Sequence, residues 1–277
     1  MLKSGLWPRS IGPRPPVHPH AVFMTQQFNG EVALITGGSS GIGRATALLF
    51  AEQGARVVVA SRRAEESEET VRLIRAAGGD AVFVKTDVSQ AEQVEALVGK
   101  AVAQYGGLHF AFNNAGIEGA PFVPTASYPE AMWDDVIDIN LKGVFLSMKY
   151  ELPHIVQSKG AIVNMASVAG LSGGRLGVAY YASKHGVIGM TKAAALEYAD
   201  KGVRINAVAP AVILTPLAER AGLAMGDPQM AARVLALHPM GRIGAPEEVA
   251  QAVLWLCSKG ASFTTGHALP VDGGFLI

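Results

Sequence analysis

The chain has a single cysteine, Cys257, in 277 residues, which excludes an internal disulfide and any thiolate-rich metal site. Cys257 falls in the apolar helical pattern VLWLC and is expected to behave as a small buried hydrophobe. Aromatic residues make up only 7% of the chain, too few for a stacking platform that would read nucleic acid. Charge of either sign is not in excess: Lys+Arg number 23 and Asp+Glu number 23. No global field therefore recruits a polyanion or an anionic membrane. No apolar run reaches the roughly 18 residues that cross a bilayer, and the seven histidines show no ligand spacing that would indicate a metal. The expectation is a cytoplasmic protein without nucleic acid, membrane or metal partners.

The first 23 residues, MLKSGLWPRSIGPRPPVHPHAVF, lack any acid and carry prolines at 8, 13, 15, 16 and 19. They have no apolar core for a secretory signal and too many prolines for an amphipathic helix. A disordered extension upstream of a natural start at Met24 is expected, followed by one domain over 24–277.

What the chain has in plenty is small and apolar residues: 32 glycines, 49% hydrophobic residues and a mean hydropathy of +0.27. These suit a buried parallel sheet with tight turns. The organising stretch is Glu31 to Phe50, EVALITGGSSGIGRATALLF. Its apolar run, Val32 to Thr36, gives way to small residues and resumes with helical period. That reads as strand, glycine turn and helix, in which Gly37, Gly41 and Gly43 let backbone approach a bulky anion while free helix amides point at it. A pyrophosphate is the natural occupant. No Lys followed by Ser or Thr closes the turn, which argues against a nucleotide triphosphatase loop.

Further strands are expected at Arg56 to Ala60, Ala81 to Thr86, Leu108 to Asn113, Ala161 to Ala166 and Val203 to Val208. Helices are expected at Ala64 to Ala77, Gln90 to Gln104, Pro129 to Val156, Ala179 to Ala199 and Pro246 to Ser258. This alternation predicts an α/β fold, a single Rossmann-like doubly wound parallel sheet of about seven strands with helices on both faces. Residues 211–244 break the rhythm with Thr215, Pro216, Leu217, Leu223, Met225, Met230 and Leu237. Such a segment reads as a substrate lid with apolar lining, or as two short helices covering the sheet edge.

In such a sheet, ligands sit outside the carboxyl ends of the strands. Asp87, Asn113, Asn114 and Ser167 all fall at predicted strand ends. Tyr180 and Lys184, four apart on one helix, share a face. An ammonium near a phenol favours the phenolate and would draw its pKa down from about 10, making Tyr180 able to exchange a proton with an alcohol or carbonyl oxygen. Ser167 could fix that same oxygen. Tyr181 is a competing phenol offset from the lysine's face.

The sequence resembles the short-chain dehydrogenase/reductase family. It carries TGGSSGIG at 36–43, NNAG at 113–116, Asn140 in DINLKG, Ser167 in NMASVAG, YYASK at 180–184, RINAVAP at 204–210 and LPVDGG at 269–274. The resemblance implies hydride transfer between a nicotinamide dinucleotide and a carbonyl or secondary alcohol carbon. In it Tyr180 acts as general acid/base, Lys184 lowers its pKa and bonds the nicotinamide ribose, Ser167 holds the substrate oxygen and Asn140 anchors a proton-relaying water. The turn Gly37, Ser39, Ser40, Gly41, Ile42, Gly43 would cradle the cofactor. Asp87 and Val88 would contact adenine, Asn113, Ala115 and Gly116 would line the central portion, and Pro210, Val212 and Thr215 would shape the nicotinamide site. Where the family has Pro-Gly, this chain has Pro210-Ala211, which alters the pocket. The resemblance also implies a homotetramer or homodimer with contact surfaces around Val136 to Glu151 and Ala182 to Ala199.

At the end of the second strand stand Ser61 and Arg62 rather than an acid. A short hydroxyl leaves room for a 2′-phosphate and an arginine can pair with it, so NADP(H) is favoured over NAD(H), although Ser40 sits where NADP-using relatives carry a basic residue. The substrate is expected to be a small carbonyl or alcohol compound with apolar surface. Two alternatives stay open: an NAD(H)-dependent sugar or steroid-type dehydrogenase of the same fold, and a non-catalytic dinucleotide-binding sensor or scaffold.

Overall fold

The computed structural model describes residues 26–223 and 228–277. The N-terminal extension expected over 1–23, the start at Met24 and the lid residue Met225 lie outside the described residues.

Seven strands form one wholly parallel sheet in the order β3-β2-β1-β4-β5-β6-β7. They are β1 Val32–Thr36, β2 Arg56–Ser61, β3 Asp80–Lys85, β4 Phe110–Asn113, β5 Ala161–Met165, β6 Arg204–Pro210 and β7 Ala268–Val271. β1 (VALIT) and β5 (AIVNM) are buried at every position, as strands covered on both faces must be. One face is covered by α1 Gly41–Glu52, α2 Ala64–Ala76 and α9 Pro246–Cys257, which pack Phe50, Ile74 and Val253 onto the sheet. Phe28 joins this layer with its ring 5.1 Å from Phe50 and 5.0 Å from Phe110. The other face is covered by α3 Ala91–Tyr105, α5 Gly143–Ser158 and α6 Val178–Tyr198, which contribute Leu97, Met148 and Val187. Cys257 is buried in the first layer, and burial pushes its thiol up to about 12.

The chain leaves β3 at one edge and returns beside β1 as β4, so the strand order reverses between β1 and β4. This is where ligands of doubly wound sheets lie. The single helix expected over 129–156 is two helices, α4 Glu130–Ile137 and α5, joined by a π-helical turn at Asp138–Lys142. The extra residue in that turn carries Asn140 inward, where a buried side chain fills the interruption.

Two further differences from the sequence reading have local causes. β7 was not located because it is four residues long, carries Pro270 and lies at the sheet edge, where a strand needs neither length nor every N–H. β3 ends at Lys85, two residues before Asp87, whose carboxylate instead accepts from Ser89 backbone N and Oγ at 3.0 and 2.7 Å in a local turn. The 211–244 segment forms α7 Pro216–Ala218, a π-helical turn at Glu219–Leu223 and α8 Pro228–Ala236. Among the described residues, no helix is long and apolar enough to cross a membrane, and no cluster of His, Cys, Asp or Glu could hold a metal ion.

Candidate active site

A cleft of about 1060 Å³ opens along the carboxyl ends of the strands. Its lower half begins at the turn between β1 and α1. Gly37 and Gly41 have φ of +66° and +52°, and a Cβ on Gly37 would stand 2.7 Å from Asn114 Nδ2, so neither position accepts a side chain. The turn is fastened from outside. Arg44 donates to Ser39 O at 2.6 Å and to Thr70 Oγ1 at 3.0 Å, and Thr70 Oγ1 donates to Gly38 O at 3.1 Å. Ser40 precedes α1 without capping it, and no acid lies in the first turn. The amides at the start of α1 are thereby left to an anion in the cleft.

Every site residue marked in the sequence lines this cleft except three. Gly43 lies behind the wall, where a Cβ would strike Gly37 O; it packs helix against strand. Asn113, expected to line the cofactor's central portion, turns its side chain into the α5 and α6 layer and donates to Glu151 Oε2 at 3.0 Å and Asn164 Oδ1 at 3.1 Å. The residue after it stays on the cleft side. Asn114 N and Ala115 N donate to Thr36 Oγ1 at 2.9 and 3.1 Å, and Asn114 Nδ2 donates to Thr36 O at 3.0 Å. Asn140 is buried, donating through Nδ2 to Ile117 O and accepting from Ile117 N, both at 2.8 Å. It clamps the backbone of the loop after β4 rather than facing the cleft.

At the end of the cleft beside β2 the structure redistributes the arginines. Arg62 lies 3.8 Å from Asp87 as a loose, mostly exposed ion pair, whereas Arg63 Nη2 donates to Ser39 Oγ at 2.7 Å and Ser40 Oγ at 2.6 Å. The cation missing from position 40 in the sequence is thus supplied from the start of α2. Ser61 Oγ accepts from Arg63 N at 3.0 Å and pairs with Ser67 Oγ at 2.7 Å, which fixes the bend that aims Arg63. Sequence reasoning missed Arg63 because no local signal distinguishes an arginine reaching 24 residues back from a solvated one.

At the other end, Ser167 follows β5 and its Oγ donates to Pro210 O at 3.3 Å. Tyr180 and Lys184 stand on α6 with the ammonium 5.5 Å from the phenol ring centroid. Lys184 is 3% exposed and donates to Met165 O at 2.8 Å; burial lowers its pKa to about 8. The expected lowering of the Tyr180 pKa by Lys184 is not what this arrangement gives. Burial pushes the phenol up to about 12, with the Ser167 hydroxyl acting against that rise and Glu118 adding to it. The ammonium lies near the ring but is engaged by the Met165 carbonyl, and burial outweighs its pull on the phenol proton. Tyr181 also lines the cleft, against the expectation from its offset, because Gly173 to Leu176 fold past it and extend the wall.

The upper wall is largely apolar, with Met132, Leu176, Leu217, Met230, Val234 and Leu237 lining the cleft and Arg175 and Arg233 among them. It is tied across the top by Arg220, whose Nε and Nη2 donate to Glu118 Oε1 and Oε2 at 2.7 and 3.1 Å. His238 is 3% exposed; its Nδ1 lies 2.7 Å from Val234 O, and its Nε2 accepts from Val212 N at 3.4 Å. These bonds join α8 to the backbone beside Pro210.

Comparison with known proteins agrees with this geometry. The family model described as enoyl-(acyl carrier protein) reductase matches residues 37–276. The chain is 50% identical over 254 residues to cyclohexanol dehydrogenase of Acinetobacter sp. (strain SE19), covering 91% of this chain and 98% of that protein. It is 43% identical over 253 residues to cis-4-hydroxycyclohexanecarboxylate dehydrogenase of Sinomonas cyclohexanicum, covering 91% and 99%. Among solved structures, levodione reductase superposes with a TM-score of 0.85 at 38% identity, covering 89% of this chain and 98% of that one. The chain belongs to the short-chain dehydrogenase/reductase family and is an NAD(P)-dependent, hydride-transferring oxidoreductase.

Proposed function

We propose that the enzyme interconverts a secondary alcohol and a ketone on a six-membered alicyclic ring, with Tyr180 as general acid/base. The observation that carries this reading is the convergence of Ser167, Tyr180 and Lys184 on the same cleft as the turn from Gly37 to Ile42, beneath a largely apolar upper wall. A ring with hydrocarbon surface suits that wall, and relatives named for cyclohexanol and hydroxycyclohexanecarboxylate support the same size and shape.

The residues at hand fit a dinucleotide: the positive-φ glycines accept close approach of a pyrophosphate and the uncapped start of α1 offers amides to it. A dinucleotide held by these residues would supply the hydride acceptor or donor for the carbinol carbon. For oxidation Tyr180 first gives up its own proton and, as the phenolate, takes the hydroxyl proton; in reduction the phenol passes its proton to the alkoxide. The Ser167 hydroxyl donates to the same oxygen and holds it in line. Lys184 keeps a positive charge on the α6 face below the phenol, and Asn140, by clamping Ile117, holds the loop that forms the side wall.

NADP(H) is the favoured cofactor, with NAD(H) the alternative. Ser61 presents no carboxylate at the end of β2, and Arg63 with the hydroxyls of Ser39 and Ser40 forms a cationic corner that suits a 2′-phosphate. We also assign 211–244 as the substrate lid and the outer faces of α5 and α6, where Phe145 and Leu196 are exposed, as the contact between copies in a homodimer or homotetramer. The test is oxidation of cyclohexanol and of acyclic secondary alcohols of equal carbon number with each dinucleotide. Higher kcat/KM for the ring alcohol with NADP+ supports both parts; an acyclic preference refutes the substrate class, and an NAD+ preference refutes the cofactor assignment.

A further inference from the structure

Behind the cleft, between the sheet and the α5/α6 layer, lies a polar cluster that the reaction does not use. Asn113 of β4 and Asn164 of β5 are partners in register, and both side chains are buried together with Glu151 of α5 and Thr191 of α6. Asn113 Nδ2 spends its two hydrogens on Glu151 Oε2 at 3.0 Å and Asn164 Oδ1 at 3.1 Å. Asn164 Nδ2 spends its two on Thr191 Oγ1 at 3.0 Å and Met148 Sδ at 3.3 Å. Thr191 Oγ1 donates onward to Val187 O at 2.8 Å. Every donor is used, and two acceptors are left with no partner: Asn113 Oδ1 and Glu151 Oε1. They belong to the same facing amide and carboxyl.

One proton removes both defects. We propose that Glu151 is a positioning residue held in its protonated form, its Oε1–H donating to Asn113 Oδ1, so that acid and amide close a cyclic pair that fixes the end of β4 beneath the dinucleotide. An ionised carboxylate in this place would have no cation and a single hydrogen bond, which is costly at full burial. Burial pushes Glu151 up to about 8, with the Asn113 amide acting against that rise. The groups around it bring no compensating charge. β4 and β5 carry no ionisable residue. Glu95 and Lys100 of α3, Lys149, Tyr150 and His154 of α5, and His185, Lys192 and Glu197 of α6 stand at exposed or half-exposed positions. The buried Lys184 is engaged with Met165 O.

The cluster spans the parts of the site that must keep register. Asn113 immediately precedes Asn114 and Ala115, whose amides are bound to Thr36, and Asn164 is tied through Thr191 to α6, which carries Tyr180 and Lys184. The inference rests on the reading of the cleft as the dinucleotide site. A protonated acid and an amide have the same shape and can make the same cyclic pair, so Gln at 151 should replace the proposed form at every pH.

The test compares the full-length wild type with Glu151→Gln and Glu151→Leu. Two quantities are followed: NADPH dissociation constants by fluorescence from pH 6 to 10, and the denaturation temperature without cofactor from pH 5 to 9. Glu151→Gln is expected to bind NADPH within about twofold of wild type at pH 7, and Glu151→Leu to bind more than tenfold more weakly. Above pH 8 the wild-type constant should rise relative to that of Glu151→Gln, towards about tenfold per pH unit. Lys184 titrates in both proteins and cancels in this ratio. The denaturation temperature of Glu151→Gln should exceed that of wild type by a margin that widens from pH 5 to 8 and then levels. Parallel pH profiles for wild type and Glu151→Gln, as a water donating to both orphan oxygens of an ionised pair would give, overturn the proposal. So does a Glu151→Gln variant as weak as Glu151→Leu. If the wild type binds no NADPH, the cofactor reading has failed, and the denaturation profiles alone decide the proton.

Discussion

Replacing Lys184 by Met should make the enzyme more stable and far less active, and the size of the effect follows from its surroundings. Lys184 is 3% exposed, and its ammonium donates to Met165 O at 2.8 Å. Burial lowers its pKa from 10.5 to about 8. Between those values the unfolded chain binds more protons than the folded one, so this group makes stability rise with pH; below pH 8 its penalty is fully present. A shift of that size corresponds to about 3 kcal/mol. Met conserves the volume of the stem and loses a hydrogen bond worth about 1 kcal/mol. The net gain at pH 7 is about 2 kcal/mol, or roughly 4–8 °C in denaturation temperature for a domain of this size. Scanning fluorimetry of both proteins without cofactor, from pH 6 to 11, measures it. The margin should close and reverse as pH rises towards 10.5, while turnover at pH 7 falls about a hundredfold or more. A Lys184→Met variant that is no more stable at pH 7, or whose margin does not change with pH, would show that the ammonium is not strained by burial.

Two further substitutions address the ends of the cleft. Arg63→Ala should lower the NADP+ over NAD+ ratio of kcat/KM by about 10- to 100-fold, the loss of a charge-assisted contact to phosphate, with NAD+ kinetics unchanged; an unchanged ratio would show that Arg63 serves only to brace Ser39 and Ser40. Glu118→Gln weakens the tie to Arg220, whose side chain is half exposed, so its effect is small. About 1 kcal/mol or less should appear as up to a fivefold rise in KM for the ring alcohol with no change in cofactor KM, and a change confined to cofactor KM would place the pair in a different role.

The glycine turn, the strand ends and the order of helices were legible because each rests on a local rule: β-branched apolar runs, small residues at a phosphate approach, apolar residues at helical period. What the sequence could not resolve was direction. Asn113 and Asn114 are consecutive at the end of a strand, and alternation guarantees that they face opposite sides of the sheet without saying which faces the cleft. The interior side fell to Asn113 because Glu151 and Asn164 meet it there. Arg62 and Arg63 posed the same problem in a loop. The bend held by Ser61 and Ser67 aims the second arginine, not the first, at the glycine turn. The Tyr180 and Lys184 pair was legible as a pair but not in its electrostatics, because the carbonyl of Met165 that engages the ammonium comes from a neighbouring strand.

The most direct measurement of the central claim is single-turnover oxidation of a ring alcohol by Tyr180→Phe, with dinucleotide binding followed in parallel. The phenol oxygen is the one group in the cleft assigned to move the substrate's proton, and its loss should slow the chemical step by about 10²- to 10⁴-fold while the cofactor dissociation constant stays within about twofold. A rate near that of the wild type, with the cofactor bound, would contradict the account.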